Sequence, residues 1–433
     1  MGTLNWIGLA SPVAQVATAT FSTYNVGTTR KIAIGGVTVQ AADSGGTLTA
    51  ALTALAVLLN ASTSPYFNQI TWSSNATQII GTSDVAGMQF VFVGSDTAGT
   101  CTSAFLCNGT GGTVVNAGPN DWASGGNWDT GVAPANGDDV FIGGNSSSKI
   151  CWNLAQSGVT LNSLNISKTF TGSIGLDSSV LATSADGQTT VATAVEYRQT
   201  YLQISATAST GGFKISTVAD IIGGTSGANG SKRIMIDIGT VASQSVEILS
   251  SASAASENGK AAIRLKGNSN TSDIYVRSAP GGVGLALDKP GETSTFRNVY
   301  VTDTSTSTNV LTGPGVTLTL WEQTGGQNVL QSSATCPTIN VKGGSLVVEG
   351  NFTITAANVY SGGSFYPNNY GSPCITGLNL YGGTTDFTKS SRARTVTNTT
   401  YQKESNSTLK YDGSVITLTN LAGPATRVTL TAS

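Results

Sequence analysis

What most limits the fold of this chain is the grouping of its apolar residues. From about residue 121 onward they come in bursts of three to six, separated by Gly pairs. One pattern recurs, an apolar residue, two spacers, then apolar-x-apolar. It stands as Leu161-x-x-Leu164-Asn165-Ile166, Phe296-x-x-Val299-Tyr300-Val301 and Ile375-x-x-Leu378-Asn379-Leu380. Related bursts are Ile234 to Ile238, Val246-Glu247-Ile248, Ile263-Arg264-Leu265, Ile274-Tyr275-Val276, Val316 to Leu320, Leu346-Val347-Val348 and Phe352-Thr353-Ile354. Alternation with a period of two marks a strand with one buried face. A three-residue strand cannot bury its inward side chains alone, whereas coils of roughly 20 residues or more, stacked on one another, form a continuous inner ladder. Gly and Asn suit the corners, where positive φ is needed. A pair of β-sandwiches would also give evenly spaced short strands. The brevity of the strands, the scarcity of Asn-Gly turns and the irregular gaps favour the solenoid. The expectation for residues 121–433 is a right-handed parallel β-helix (β-solenoid) with protruding loops.

Composition agrees with a mainly β fold. Charged residues are 10 % of the chain, against about 25 % in a typical soluble domain. Gly, Ser, Thr and Asn, which weaken helices and favour turns, take their place. A hydrophobic fraction of 39 % with a net charge of −2 excludes disorder, which pairs low hydrophobicity with high net charge. The same charge, with no run of Lys or Arg, argues against a nucleic-acid partner. No stretch reaches the ~18 apolar residues of a membrane helix. The opening Met1-Gly2-Thr3-Leu4-Asn5-Trp6 lacks the basic start and apolar core of a secretory signal. Such a chain suits a protein released by cell lysis.

Residues 1–95 read as a small α+β docking domain. Arg30 to Ile34 and Val37 to Gln40 alternate around Gly35-Gly36, a hairpin signature. Thr47 can cap a helix in which Leu48, Leu52, Leu55 and Leu59 share one face, with Asn60 and Pro65 ending it. Strand-like runs follow at Gln69 to Trp72, Gln78 to Ile80 and Gln89 to Val93. Residues 96–120, rich in Gly and Thr, read as a linker.

Two segments resemble known families. Asn120-Asp121-Trp122, Asn127-Trp128 and the run from Gly131-Val132-Ala133-Pro134 to Gly137-Asp138-Asp139-Val140-Phe141-Ile142 resemble the first coil of bacterial and viral parallel β-helix proteins. The resemblance implies that Trp128 caps the apolar core and that Val140-x-Ile142 is the first ladder strand. Asn5-Trp6-Ile7-Gly8 and Val13 to Thr18, with Ile70-Thr71-Trp72 and Ala86 to Phe90, are similar to a small domain of phage structural proteins. This implies a virion protein, a capsid decoration (cement) protein, a head fibre, or a tail fibre or spike, of a kind that is often trimeric.

The residues offer little catalytic chemistry. There is no histidine, which removes Ser-His-Asp and Cys-His systems and His-ligated zinc. A paired-carboxylate glycosidase remains open, with Asp129, Asp138, Asp139, Asp237, Asp288, Glu322, Glu349 and Asp386 as candidates, but no spacing forces two of them together. Asp138-Asp139 reads as a turn in preference to a Ca²⁺ site. No cofactor is expected. Cys101, Cys107, Cys151, Cys336 and Cys374 read as buried thiols, although Cys101 and Cys107 are close enough for a short loop disulfide. Repeated Asn-x-Ser/Thr sequons are assigned no glycan. Trp321, Phe365, Tyr366, Tyr370 and Tyr381 are candidates for surface recognition of a host glycan or for contacts between subunits.

The expected function is that of a non-enzymatic phage virion structural protein, a decoration or head-fibre protein. It would dock on other virion proteins by its N-terminal domain and display a β-helical rod at the virion surface as a homo-oligomer, a trimer by resemblance. The alternative is a tail fibre or tailspike that binds or cleaves host polysaccharide. A bacterial adhesin would need an export signal and an anchor, which these residues do not display.

Overall fold

In the computed structural model the chain is mainly β. A small β-rich domain with one helix is followed by a parallel β-solenoid of about ten turns, from about residue 139 to 418. The structure describes residues 2–34, 37–43, 46–86, 90, 92–98, 101–104, 118–175, 201–207, 211–216, 233–251, 261–280, 284–289, 291–331, 336–401, 407–422 and 428–432. The Gly35-Gly36 turn and Cys107 lie outside these residues.

Two long sheets run along the solenoid. Sheet A extends from Asp139–Ile142 and Ser163–Ile166 to Arg394–Tyr401 and Ile416–Leu418. Sheet B extends from Ala155–Leu161 and Leu202–Ala206 to Ser407–Tyr411 and Val428–Ala432. Successive coils pair in parallel. Alternation turns every second residue of sheet A inward. Val140, Leu164, Phe213, Val246, Ile274, Val299, Trp321, Ile339, Ala357 and Leu378 stand in one register column and are at most 2 % exposed. The step between paired positions falls from 49 residues (Leu164 to Phe213) to 18 (Trp321 to Ile339), so the shortest coils hold little beyond strands and corners.

The corners explain the glycine pairs. Gly326, Gly344 and Gly383 have φ of +84°, +69° and +72°. A Cβ on Gly344 would come within 2.4 Å of the Gly326 carbonyl oxygen, and one on Gly383 within 2.4 Å of that of Gly363. Both the turn and the close stacking of coil on coil therefore require glycine there.

The N-terminal domain has the expected hairpin, Thr29–Ile34 against Val37–Ala42, with Ile34 opposite Val37. Its helix, Leu48–Asn60, is capped by Thr47 Oγ1, which accepts from Ala50 N at 3.3 Å. Leu52, Leu55 and Leu59 are buried, and the helix packs on Ile70–Ser74 and Val37–Ala42. Asn60, past the last apolar turn, bonds the Trp72 backbone in both directions, Nδ2 to Trp72 O at 2.7 Å and Trp72 N to Oδ1 at 2.9 Å. The helix end is thereby tied to the sheet.

Four sequence expectations are corrected. The third strand is Val93–Asp96, which pairs with Thr29–Ile34. Phe90 and Phe92, from the run read as strand, instead fill the core beside Trp72, whose ring centroid is 5.2 Å from that of Phe92. Cys101–Ala104, inside the segment read as linker, pairs antiparallel with Val16–Phe21 and belongs to the domain. Thr3–Asn5 belongs to the solenoid: it runs parallel to Asp139–Ile142, with Leu4 opposite Val140. That pairing places it ahead of Val140-x-Ile142, which is the second ladder strand and not the first. Finally, the Val316-to-Leu320 run is two strands, Val316–Thr317 and Leu320–Gln323. The break between them is a corner, and it sets the parity that turns Trp321 inward.

Tryptophans close the first coil. Trp128 packs edge-on against Trp6 (5.1 Å, 75°) and Trp122 (4.9 Å, 74°), and its Nε1 donates to Trp122 O at 2.9 Å. Asn127, wholly buried, donates to Gly118 O and Asp121 O and accepts from Ala10 N. This is the capping role that the resemblance implied for Trp128.

Candidate functional site

Two surfaces stand apart from the rest of the molecule. The first is the outside of the N-terminal domain. Residues 1–96 carry five charges, Arg30, Lys31, Asp43, Asp84 and Asp96. Three of them are turned inward. Arg30 Nε and Nη2 donate to the two carboxylate oxygens of Asp43 at 2.9 and 2.7 Å, and Nη1 lies 3.5 Å from Asp96. Lys31 and Asp84 are left for the surface. Of the eleven exposed large hydrophobics among the described residues, eight lie here: Leu9, Val13, Val26, Val37, Val57, Leu58, Val85 and Val93. The helix contributes an uncharged outer face of Thr49, Ala50, Thr53, Ala54, Val57 and Leu58, all exposed.

The second is an open cleft of about 410 Å³ near the C-terminal end of the solenoid, lined by Glu349, Gly350, Asn368, Tyr370, Lys389, Ser390, Ser391 and Arg392. Its floor follows the parallel ladder, because Asn368 N donates to Val348 O (2.7 Å) and Tyr370 N to Gly350 O (2.9 Å). Its wall is pinned by Arg394, which is 4 % exposed. That guanidinium donates to the carbonyls of Pro367, Phe387, Ser390 and Arg392 and lies 5.5 Å from the Phe387 ring centroid. Burial pulls its pKa below the ordinary arginine value, yet a guanidinium stays charged at any working pH. Arg392 sits over Tyr370, with Cζ 4.1 Å from the ring centroid. Asn368 Oδ1 is buried without a hydrogen-bond partner.

The five aromatic candidates separate by exposure. Trp321 and Phe365 are wholly buried, which corrects their reading as surface residues. Trp321 pairs with Val299 and Ile339 in the inner column, and its Nε1 donates to the buried Gln323 at 3.0 Å. Phe365 pairs with Leu346 on the inner face of sheet B. Tyr366 faces outward and is half-buried. Tyr381 stacks on Tyr360 of the preceding coil, with centroids 4.8 Å apart at 14°. Tyr370, 42 % exposed, lies in the cleft. Sequence reading missed Asn368, Lys389, Arg392 and Arg394. The signal was present in Lys389-Ser390-Ser391-Arg392-Ala393-Arg394, three cations in six residues of a chain with 21 Lys and Arg.

The outer face of sheet A is polar and ordered coil by coil. Asn379 Nδ2 donates to Asn358 Oδ1 and Asn358 Nδ2 to Asn340 Oδ1, both at 2.8 Å, and Asn340 Nδ2 donates to Glu322 at 3.0 Å. Lys342 Nζ also binds Glu322, at 2.7 Å. Burial raises the Glu322 pKa, but these two donors outweigh it and leave the carboxyl below its ordinary value. Tyr275 and Tyr300 stack lower on the same column, 5.1 Å apart.

Each of the eight candidate carboxylates is engaged by a group that is not another acid. Asp129 is held by Asn5, Asp138 by Gly2 N and Ala135 N, and Asp139 by Ser163. Asp237 binds Lys266, Asp288 binds Arg264, Glu322 binds Lys342, Glu349 accepts from Gln331, and Asp386 accepts from Thr388. Asp138 thus forms a turn of the kind read from the sequence. Among the described residues, no group of three or more Cys, Asp or Glu is placed to hold a metal ion. No described helix is long and apolar enough to cross a membrane. Cys151 and Cys336 are buried thiols with pKa pushed up to about 12, and Cys374 to about 11, by desolvation. Cys101 is partly exposed.

Fold and surface together define a parallel β-solenoid protein with a small domain inserted at its capped end. Comparison with known proteins adds no name to that class: no family model, no curated protein and no solved structure matches the chain.

Proposed function

We propose that the chain is a non-enzymatic structural protein of a phage particle, a capsid decoration or head-fibre protein. In this reading it works as a homotrimer, docks on other virion proteins by its N-terminal domain and presents the solenoid as a rod at the particle surface. The observation that carries it is the division of the surface, an almost uncharged domain that bears eight of the eleven large hydrophobics exposed among the described residues, joined to a polar, closely laddered rod. Burying such a face on another protein stabilises the contact by roughly 25 cal/mol per Å² of apolar area, with little charge to desolvate. Fully paired parallel coils resist local opening, which suits a part exposed outside a cell.

The test is incorporation. A Val57→Asp, Leu58→Asp double variant changes two exposed positions and is expected to keep its circular dichroism and melting temperature. It should be lost from purified particles, whose images should show the wild-type chain on the head. Particles that carry the variant at wild-type occupancy would sink this reading. Light scattering of the free protein checks the trimer.

A further inference from the structure

The cleft at Tyr370 and Arg392 has no part in docking by the N-terminal domain, and its chemistry is that of a ligand site. We propose that it binds a sugar unit carrying one anionic group, a carboxylate or a phosphate, alongside its hydroxyls.

Four features carry this. The first is charge. Lys389 and Arg392 face one carboxylate, Glu349, in a chain whose net charge is −2. The buried Arg394 adds a further positive charge directly behind the wall. Cations gathered against the overall sign of the molecule select an anion. A guanidinium moreover presents a planar fork that fits a carboxylate or phosphate with two parallel hydrogen bonds.

The second is hydroxyl recognition. Ser390, Ser391, Asn368 and Glu349 line the same space and supply donors and acceptors for an alcohol-rich ligand. Asn368 Oδ1, buried and unpartnered, stays an uncompensated acceptor until a donor meets it. A sugar hydroxyl is such a donor.

The third is the aromatic ring. Tyr370 is the single exposed large hydrophobic beyond Leu249 among the described residues. Arg392 covers its ring at 4.1 Å and holds it in place. An amphipathic ring at the mouth of a polar cleft gives the C–H face of a sugar an apolar surface.

The fourth is rigidity. The floor is parallel ladder, and the wall from Phe387 to Arg392 is fixed by three carbonyl contacts to one buried guanidinium, which a fourth ties to Pro367. A site held this way loses little conformational entropy on binding. Its volume of about 410 Å³ suits one or two sugar rings, within the roughly 300–1,000 Å³ typical of small-ligand clefts. Inorganic phosphate would satisfy the cations but not Tyr370 or Asn368. A neutral sugar would satisfy the reverse.

The experiment is calorimetric titration of the full chain with glucuronate, glucose 6-phosphate, glucose and inorganic phosphate as separate probes. The expected result is binding of glucuronate or glucose 6-phosphate at least tenfold tighter than glucose and than phosphate. Which of the two binds tells carboxylated from phosphorylated sugars. Arg392→Met and Tyr370→Ala, both at exposed positions, should each weaken that binding tenfold or more with unchanged melting temperature. Lys31→Met in the distant domain should leave it unaltered. The proposal is overturned if neither anionic sugar outbinds glucose and phosphate, or if both cleft variants bind as the wild type does. Particle incorporation is read separately, so failure here leaves the docking proposal untouched.

Discussion

The N-terminal domain and the solenoid both bury Ile, Leu and Val between short strands, but they differ in how much charge they leave at the surface. The domain draws Arg30, Asp43 and Asp96 into its interior and leaves an outer face of Thr, Ala, Val and Leu. The solenoid carries some ion pairs at its surface, where Arg277 meets Glu247, Lys342 meets Glu322 and Arg297 meets Asp273, and buries others on its outward-facing strand positions, Lys266 with Asp237 and Arg264 with Asp288. A closed antiparallel domain has one core, and a buried ion cluster inside it is satisfied once. A solenoid repeats its core in every coil, so its inner columns are mostly apolar and many of its polar pairs fall into columns on the outward-facing positions. The contrast teaches which surface each part has free for contact, apolar in the domain and polar along the rod.

The sharpest way to break this comparison is Arg30→Met. It leaves Asp43 buried without the guanidinium that holds both its oxygens, and such a loss costs about 3–5 kcal/mol. Scanning calorimetry should show the domain's transition fall or vanish while that of the solenoid persists. A joint fall of both would mean that the two parts share one cooperative unit. Next is Ile339→Ala in the inner column, where deleting a buried Ile side chain costs about 2–5 kcal/mol. Each coil leans on its immediate neighbours, so hydrogen exchange should quicken around Thr338–Val341 and the coils on either side, but not in the N-terminal domain. Asn358→Ala, in the outer ladder, removes bonds worth about 0.5–1.5 kcal/mol each. It should loosen Asn340 and Asn379 on either side and leave the inner column protected.

The smallest effect is a pH dependence at the junction of the two parts. Asp129 accepts from Asn5 N at 2.8 Å and from Asn5 Nδ2 at 2.6 Å, and these bonds hold its carboxyl below the ordinary value of 3.8. A folded pKa below the unfolded one stabilises fully above the unfolded value and is lost as pH falls through the folded value. Protection of Thr3–Asn5 against exchange, taken relative to the intrinsic rate at each pH, should therefore be high at pH 5 and fall below about pH 3.9, the unfolded Asp value. In Asp129→Asn it should be independent of pH over that range. Equal profiles for the two proteins would remove Asp129 as the clasp.

Much of the solenoid was legible because its signal is local. Leu164-Asn165-Ile166 and Leu378-Asn379-Leu380 state in three residues which side chains point inward, and the structure places all four apolar ones in the core. The helix was legible for the same reason, through Thr47 and the Leu52, Leu55, Leu59 stripe. The cleft was not. Glu349, Tyr370 and Arg392 come from separate coils, and their meeting depends on coil register, which a degenerate repeat does not fix. Trp321 and Phe365 were misread because aromatic residues beside polar neighbours look exposed until strand parity is known.

By itself the sequence determined the period of the fold, the glycine corners, the capped helix and the scarcity of charge, since each is written in residues close along the chain. Only the tertiary structure decided that Thr3–Asn5 joins the solenoid ahead of Asp139–Ile142, that Arg30 turns inward to Asp43, and that Tyr370 meets Arg392. The physical reason is that tertiary packing brings together residues from 13 to more than 100 positions apart. Their contact energies depend on register, which is set by the packing of the whole ladder and by no single segment.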